Sequence, residues 1–173
     1  MDLTIREATP EDAEVVAAIY APFVTDTAVS FEEVAPSADE MAQRLMESHL
    51  WLVAERNGEV VGYAYAAPFH PRASYRWSVE VSIYLAEEAR GHGVGRQLLG
   101  RLLEELRAAG FVNAFAGTTL PNDGSVALFE SFGFERIALQ RGVGYKLGAW
   151  HDVGWWQLQL RHGPVPPPML GGR

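Results

Sequence analysis

The amino-acid sequence predicts an α/β fold, a single domain whose central mixed β-sheet carries about four helices, and three features point to it. Asn57-Gly58 separates two runs of strand-forming residues and is the strongest short signal for an antiparallel hairpin. Residues 77–85 alternate apolar and polar side chains, the mark of a strand. A glycine-rich segment and a leucine-striped helix follow, then another strand at residues 114–120. Two strands joined through a helix lie parallel with a right-handed crossover, so parallel and antiparallel neighbours must share one sheet.

Each element has its own signal. Residues 3–7 form a first strand, and Thr9-Pro10-Glu11-Asp12 opens a first helix, with Thr9 as cap and Pro10 at the first helical position, running to about Val24. Ser37 and Glu40 have capping-box spacing and start a second helix that ends near His49. Residues 50–56 and 59–67 are the arms of the hairpin, and residues 68–75 a loop before the fourth strand. In the third helix Leu98, Leu99, Leu102, Leu103 and Leu106 form one stripe, Arg101, Glu104, Glu105 and Arg107 form the other, and Gly110 ends it. Asp123 or Ser125 caps a fourth helix that stops at Gly133, and residues 134–139 and 153–161 close the sheet. The expected domain is 1–162; residues 163–173, with Pro166-Pro167-Pro168, read as a loose tail.

Composition removes several classes of function. Hydrophobic residues make up 48% of the 173, enough for one core. A net charge of −8 and a pI near 5.1 leave no broad basic face for nucleic acid or an acidic membrane, so any anion site must be local. Without cysteine there is no disulfide, thiol nucleophile or cysteine-type zinc site, and the five histidines lack His-x-x-x-His spacing, so no metal is expected. The first residues lack signal-peptide character, and no apolar run reaches the roughly 20 residues of a membrane span, so the expected location is cytoplasmic.

Two features carry chemistry. Arg90-Gly91-His92-Gly93-Val94-Gly95 brings a row of backbone N–H groups to the N-terminus of the third helix, where those donors and the helix dipole hold an anion. No Gly-Lys-Ser/Thr follows and the spacing is not G-x-G-x-x-G, which sets aside nucleotide-hydrolysing and dinucleotide-binding loops. Glu80 is the only charge in the fourth strand; it shares a face with Ser78, Ser82 and Tyr84, opposite Val79, Val81, Ile83 and Leu85. In a lone strand such a glutamate marks a solvated face. In a strand that feeds a crossover it instead lines a cleft, with a raised pKa, and suits proton removal from an ammonium group.

Arg90-x-x-Gly93-x-Gly95 resembles the pyrophosphate loop of the GNAT superfamily of acyl-CoA-dependent N-acetyltransferases, and the order β-α-α-β-β-β-α-β-α-β-β resembles their fold. Within it the chain is similar to the phosphinothricin and methionine sulfoximine N-acetyltransferases. Trp51-Leu-Val-Ala-Glu55, Gly62-Tyr-Ala-Tyr65, Tyr75-x-Trp77-x-x-Glu80, Leu120-Pro-Asn-Asp123 with Ser125-Val126, and Gly148-x-Trp-His-Asp-Val-Gly154 with Trp156-Gln-Leu158 carry the likeness. The resemblance implies acetyl-CoA as cosubstrate, Glu80 as general base, and the backbone of Ile83, Tyr84 and Leu85 as partner of pantetheine. It places Gly91, His92, Gly93, Val94, Gly95 and Arg96, with Arg90, at the pyrophosphate, and Asn122 and Ser125 at the pantetheine arm. A side chain at Gly93 or Gly95 is expected to block the approach to the pyrophosphate. Arg72 and Tyr75 fall on anion-contacting residues and Phe31 on a substrate wall, with His70 where some members carry lysine. Arg72 otherwise reads equally as a surface ion pair. The resemblance further implies a homodimer. His151 and Asp152 read as structural, because adjacent strand residues point to opposite faces.

One departure bears on mechanism. Phe129 stands where many members have tyrosine, and the phosphinothricin relatives histidine, to protonate the departing CoA thiolate. Phenylalanine cannot donate, but a thiol of pKa roughly 8.5 leaves largely as thiolate. The expected function is direct acetyl transfer, without a covalent enzyme intermediate, to the amine of a small anionic amino acid analogue such as phosphinothricin or methionine sulfoximine. The alternatives are transfer to another amine (a protein N-terminus, a polyamine, an aminoglycoside) and a CoA-binding sensor without turnover.

Overall fold

The computed structural model describes residues 3–162; the expected tail at 163–173 lies outside them. Seven strands form one sheet: β1 (Leu3–Glu7), β2 (Leu50–Arg56), β3 (Glu59–Pro68), β4 (Ser78–Leu85), β5 (Asn113–Leu120), β6 (Glu135–Lys146) and β7 (Ala149–Gln159). Their spatial order is β1-β2-β3-β4-β5-β7-β6, antiparallel throughout except for the parallel β4–β5 pair. The helices are α1 (Ala13–Thr25), α2 (Ala38–Glu47), α3 (Val94–Ala109) and α4 (Asp123–Ser131).

Local chemistry explains most boundaries. Asn57 and Gly58 both take positive φ, 55° and 86°, as the tight hairpin turn requires. Ahead of α1, Pro10–Asp12 form a single 3-10 turn in which the Asp12 carboxylate accepts from the Thr9 N–H and from the Arg6 guanidinium, each at 2.8 Å. The expected capping box is present at α2, where Ser37 Oγ accepts from the Glu40 N–H at 3.2 Å and Glu40 Oε2 from the Ser37 N–H at 2.7 Å.

The sheet is covered on both faces. Leu98, Leu99, Leu102, Leu103 and Leu106 of α3 are fully buried against Leu52, Ala64, Val79, Val81 and Ala114, and each such leucine contributes about 1.5–3 kcal/mol. On the opposite face α1 and α2 pack Val16, Tyr20 and Met41 against Trp51, Val53 and Tyr63. The alternation in β4 therefore separates two cores, and the face that carries Glu80 is roofed by helices.

Three boundaries differ from expectation. The strands expected at 134–139 and 153–161 run instead over Glu135–Lys146 and Ala149–Gln159. Glycines at 142 and 144 obscured the continuation of β6, which bulges between Gln140 and Gly144 while Asp152 Oδ1 accepts from the Gly142 N–H at 2.7 Å. The turn closing this hairpin is Leu147-Gly148, with φ of 52° and 78°; a leucine in that conformation gives no Asn-Gly signature. The cap of α4 is Asn122 rather than Asp123 or Ser125, its Oδ1 accepting from the Ser125 N–H at 3.2 Å.

Candidate active site

The parallel ladder between β4 and β5 has three rungs: Ser78–Asn113, Val79–Ala114 and Glu80–Phe115. Both strands continue, to Leu85 and to Leu120, but part company after Glu80. Backbone groups on the two diverging edges then have no partner across the gap, a situation that proteins resolve with a ligand or water. The wedge is lined by Val81, Ser82, Ile83 and Tyr84 on one side and Gly117, Thr118 and Thr119 on the other. Asn122, Ser125 and Phe129 of the α4 region and Val29 of the α1–α2 loop complete it. An extended molecule with amide groups fits such an edge as an added strand would. Asn122 spends its Oδ1 on the helix cap, so its side-chain NH2 is what it offers the wedge.

At the wide end of the wedge β4 leads into the glycine loop. Gly91 and Gly93 adopt φ of 75° and 77°, the left-handed region that a side chain disfavours. The first bond of α3 runs from the Gln97 N–H to the Gly93 carbonyl at 3.1 Å, so the Val94, Gly95 and Arg96 N–H groups precede the ladder and remain for an anion. His92 is exposed. The Arg90 guanidinium sits 5.0 Å from the Phe23 ring, and Arg96 donates to Ser131 Oγ at 3.1 Å. Gly95 corrects an expectation: a Cβ there would point not at a bound phosphate but into the protein, 3.4 Å from Leu128 and Leu85 and 3.6 Å from Ile83. Its lack of a side chain serves the packing of α3 on β4 and α4.

Glu80 occupies the last rung, where the strands begin to part. Its side chain is half-buried and has no hydrogen bond or ion pair among the described residues. Burial pushes its pKa above the usual carboxylate range, opposed by the charge of nearby His70. The β3–β4 loop covers this end: Phe69 stacks on Phe115 at 4.1 Å, and the His70 ring lies 4.8 Å from Tyr75. A second cavity, about 510 Å³ and lined by Met41, Arg44, Trp51, Tyr65, Ala67 and His70 among others, opens on the β3 side. Ala67, the cross-strand partner of Glu80, lines this cavity and Val81, the next residue along β4, lines the wedge, so Glu80 is placed on β4 between residues of the two cavities. A carboxyl group with this environment can take a proton from an ammonium near neutral pH.

The other expected substrate residues come from two different loops. His70, Arg72 and Tyr75 share the β3–β4 loop; the Arg72 guanidinium is exposed and without a partner among the described residues. Phe31, 40% exposed, comes from the α1–α2 loop and lies over Gly144 of β6, 6.3 Å from the His151 ring. Phe129 is 4% exposed, edge-on to Phe134 at 5.2 Å, so the wedge carries no side-chain acid at that position. His151 and Asp152 are bonded to the β6 backbone, at the Lys146 carbonyl and the Gly142 N–H. Phe115, Thr118, Thr119 and Val29 join the site without having been singled out from sequence; the two threonines are foreshadowed by their place late in a crossover strand, Val29 by nothing local.

Residues 16–134 match the model of the Acetyltransferase (GNAT) family. The chain is 38% identical over 166 residues to a phosphinothricin N-acetyltransferase of Streptomyces viridochromogenes, covering 94% of this chain and 90% of that protein. It is 34% identical to an L-methionine sulfoximine/L-methionine sulfone acetyltransferase of Salmonella typhimurium, covering 95% and 98%. The structure of a GNAT superfamily phosphinothricin acetyltransferase from Sinorhizobium meliloti, solved in complex with AcCoA, superposes with a TM-score of 0.92 at 37% identity, over 98% of this chain and 94% of that one.

Proposed function

This chain belongs to the GNAT acetyltransferase family, and on that premise we propose that it transfers acetyl from acetyl-CoA to the amine of a small anionic amino acid analogue such as phosphinothricin or methionine sulfoximine. The observation that carries this reading is the position of Glu80, a half-buried carboxylate with no hydrogen bond or ion pair among the described residues, where a parallel ladder opens into a wedge. The residues present suit acetyl-CoA: the open edges of β4 and β5 match the amides of a pantetheine arm, and the N–H groups ahead of Gln97 match a pyrophosphate.

In this mechanism Glu80, directly or through a water it holds, removes the proton that keeps the acceptor amine from attacking. Backbone N–H groups on the open half of β4 receive the negative charge that develops on the thioester oxygen. Arg72 clamps the acid group of the acceptor with parallel hydrogen bonds, and Phe31 and Tyr75 flank it. Phe129 gives no proton to the departing sulfur, which leaves as thiolate. We assign catalysis to one domain, 1–162, in the cytoplasm, working as a homodimer. The exposed apolar side chains of the β6–β7 hairpin, Ile137, Val143, Tyr145, Leu147 and Trp150, support a second copy as their cover.

The test is release of CoA thiol from acetyl-CoA with phosphinothricin or methionine sulfoximine, followed by mass detection of the N-acetyl product. Turnover only with polyamines, aminoglycosides or N-terminal peptides would reassign the acceptor. Acetyl-CoA binding without turnover on any amine would make the chain a sensor.

A further inference from the structure

Lys146 is 8% exposed and has no carboxylate partner among the described residues. Its Nζ donates instead to two backbone carbonyls, those of Val24 at 2.5 Å and Ser30 at 2.6 Å. A buried ammonium is costly unless hydrogen-bonded, and both of its acceptors lie outside the sheet, in the last turn of α1 and in the loop that follows. Ser30 immediately precedes Phe31. The Ser30 hydroxyl lies 2.7 Å from the Tyr20 hydroxyl, and the Tyr20 ring meets Tyr84 of β4 edge-on at 4.9 Å, so the loop is pinned from both sides.

The placement of Phe31 depends on the same stretch of β6. Gly144 and Lys146 are two residues apart on one strand and share a face. The Phe31 ring occupies the space above Gly144, where an added Cβ would collide with it, and His151, the cross-strand partner of Gly144, lies beside the ring and bonds the Lys146 carbonyl at 2.9 Å. One strand face therefore holds the loop by its backbone and seats its aromatic side chain. We propose that Lys146 is a positioning residue for the acceptor amine, holding the α1–α2 loop so that Phe31 walls the substrate site. This rests on the reading of Phe31 as a substrate wall.

The experiment compares Lys146→Met, Gly144→Ala and Phe31→Ala with the parent enzyme, using phosphinothricin as acceptor. Lys146→Met keeps the aliphatic stem and removes the donors; it should raise the acceptor KM tenfold or more, leave the KM for acetyl-CoA within twofold, and lower kcat less than it raises KM. Gly144→Ala should give the same split by displacing the ring without touching the lysine, and it carries the test if Lys146→Met does not fold. Adding Lys146→Met to Phe31→Ala should raise the acceptor KM no further. Cleavage after Glu33 by a glutamate-specific protease should be at least tenfold faster in Lys146→Met. An unchanged acceptor KM in Lys146→Met, with a raised one in Phe31→Ala, overturns the positioning role; an unchanged cleavage rate overturns the tether. If Phe31→Ala itself leaves the acceptor KM unchanged, the substrate-wall reading fails first, and the proposal falls with it.

Discussion

Gly95 separates two accounts of the glycine loop. If its missing side chain cleared the way for a pyrophosphate, any substitution would weaken acetyl-CoA binding. The structure instead aims its Cβ at Leu128, Leu85 and Ile83, at 3.4, 3.4 and 3.6 Å, which is ordinary contact. Gly95→Ala should then fit and, by relieving the entropic cost of glycine in a helix, change stability by between zero and about +1 kcal/mol. Gly95→Val adds two methyl groups where the first carbon already touches, and overpacking of that kind costs about 1–3 kcal/mol. At about 2–4 °C per kcal/mol for a chain of this size, the melting temperature should fall by about 2–12 °C. Gly93→Ala fails differently: its Cβ meets nothing within 4 Å, but φ is 77°, so the cost is about 1–2 kcal/mol of backbone strain at the site where N–H groups turn outward. Scanning calorimetry gives the melting temperatures, and titration with acetyl-CoA gives affinity. Gly95→Ala should bind acetyl-CoA as the parent does. A tenfold loss of affinity in Gly95→Ala with an unchanged melting temperature would refute the inward packing.

Arg72→Ala should raise the KM for the amino acid acceptor at least tenfold and leave that for acetyl-CoA within twofold, because the exposed guanidinium has no hydrogen-bond or ion-pair partner among the described residues; a shift of both or neither in steady-state kinetics would make it a surface residue. Phe129→Tyr should introduce an alkaline fall in kcat that the parent lacks, as a phenol replaces an inert ring in the wedge; pH–rate profiles without that limb would show that position 129 takes no part in thiolate protonation. Trp150→Glu, at a residue 67% exposed, should shift a dimer toward monomer in light scattering without lowering the helical signal in circular dichroism; a parent already monomeric at micromolar concentration would refute the proposed second copy.

The elements that sequence reasoning located are those with local signals. Asn57-Gly58 needs only its own backbone preferences, and the α3 leucines need only a period of 3.6 residues. The β6–β7 hairpin escaped because its pairing is long-range: Gly142 and Gly144 look like breakers until the Asp152 carboxylate accepts from the Gly142 N–H and the Phe31 ring fills the space over Gly144. Glu80 was legible as the lone charge of an interior strand, yet the wedge beside it was not, since no residue announces where a parallel ladder stops. Arg72, Tyr75 and Phe31 were visible only through family likeness; alone, each fits a surface loop. Nothing local marks Lys146, which lies outside the strands expected at 134–139 and 153–161; its burial becomes apparent only once the α1–α2 loop lies across it.

The central claim is that Glu80 accepts the amine proton, and Glu80→Gln tests it while keeping the shape of the site. At neutral pH kcat/KM should fall by about 10²- to 10⁴-fold and recover partly at high pH, where free amine is already abundant. Stability should move the other way. Burial holds the folded carboxyl above its ordinary value of 4.5, so the folded state binds that proton more tightly than the unfolded one, and the parent loses stability as pH rises from about 4.5 through the raised value. The glutamine variant escapes that loss, melting higher than the parent at neutral pH and gaining nothing below the ordinary carboxylate range. The pH profile of kcat/KM for Glu80→Gln, measured beside the parent on the same acceptor, is therefore the most direct measurement. A steep loss at neutral pH that narrows toward alkaline pH is the predicted result. Parent-like rates at neutral pH would contradict the assignment and move the base to an ordered water or to His70.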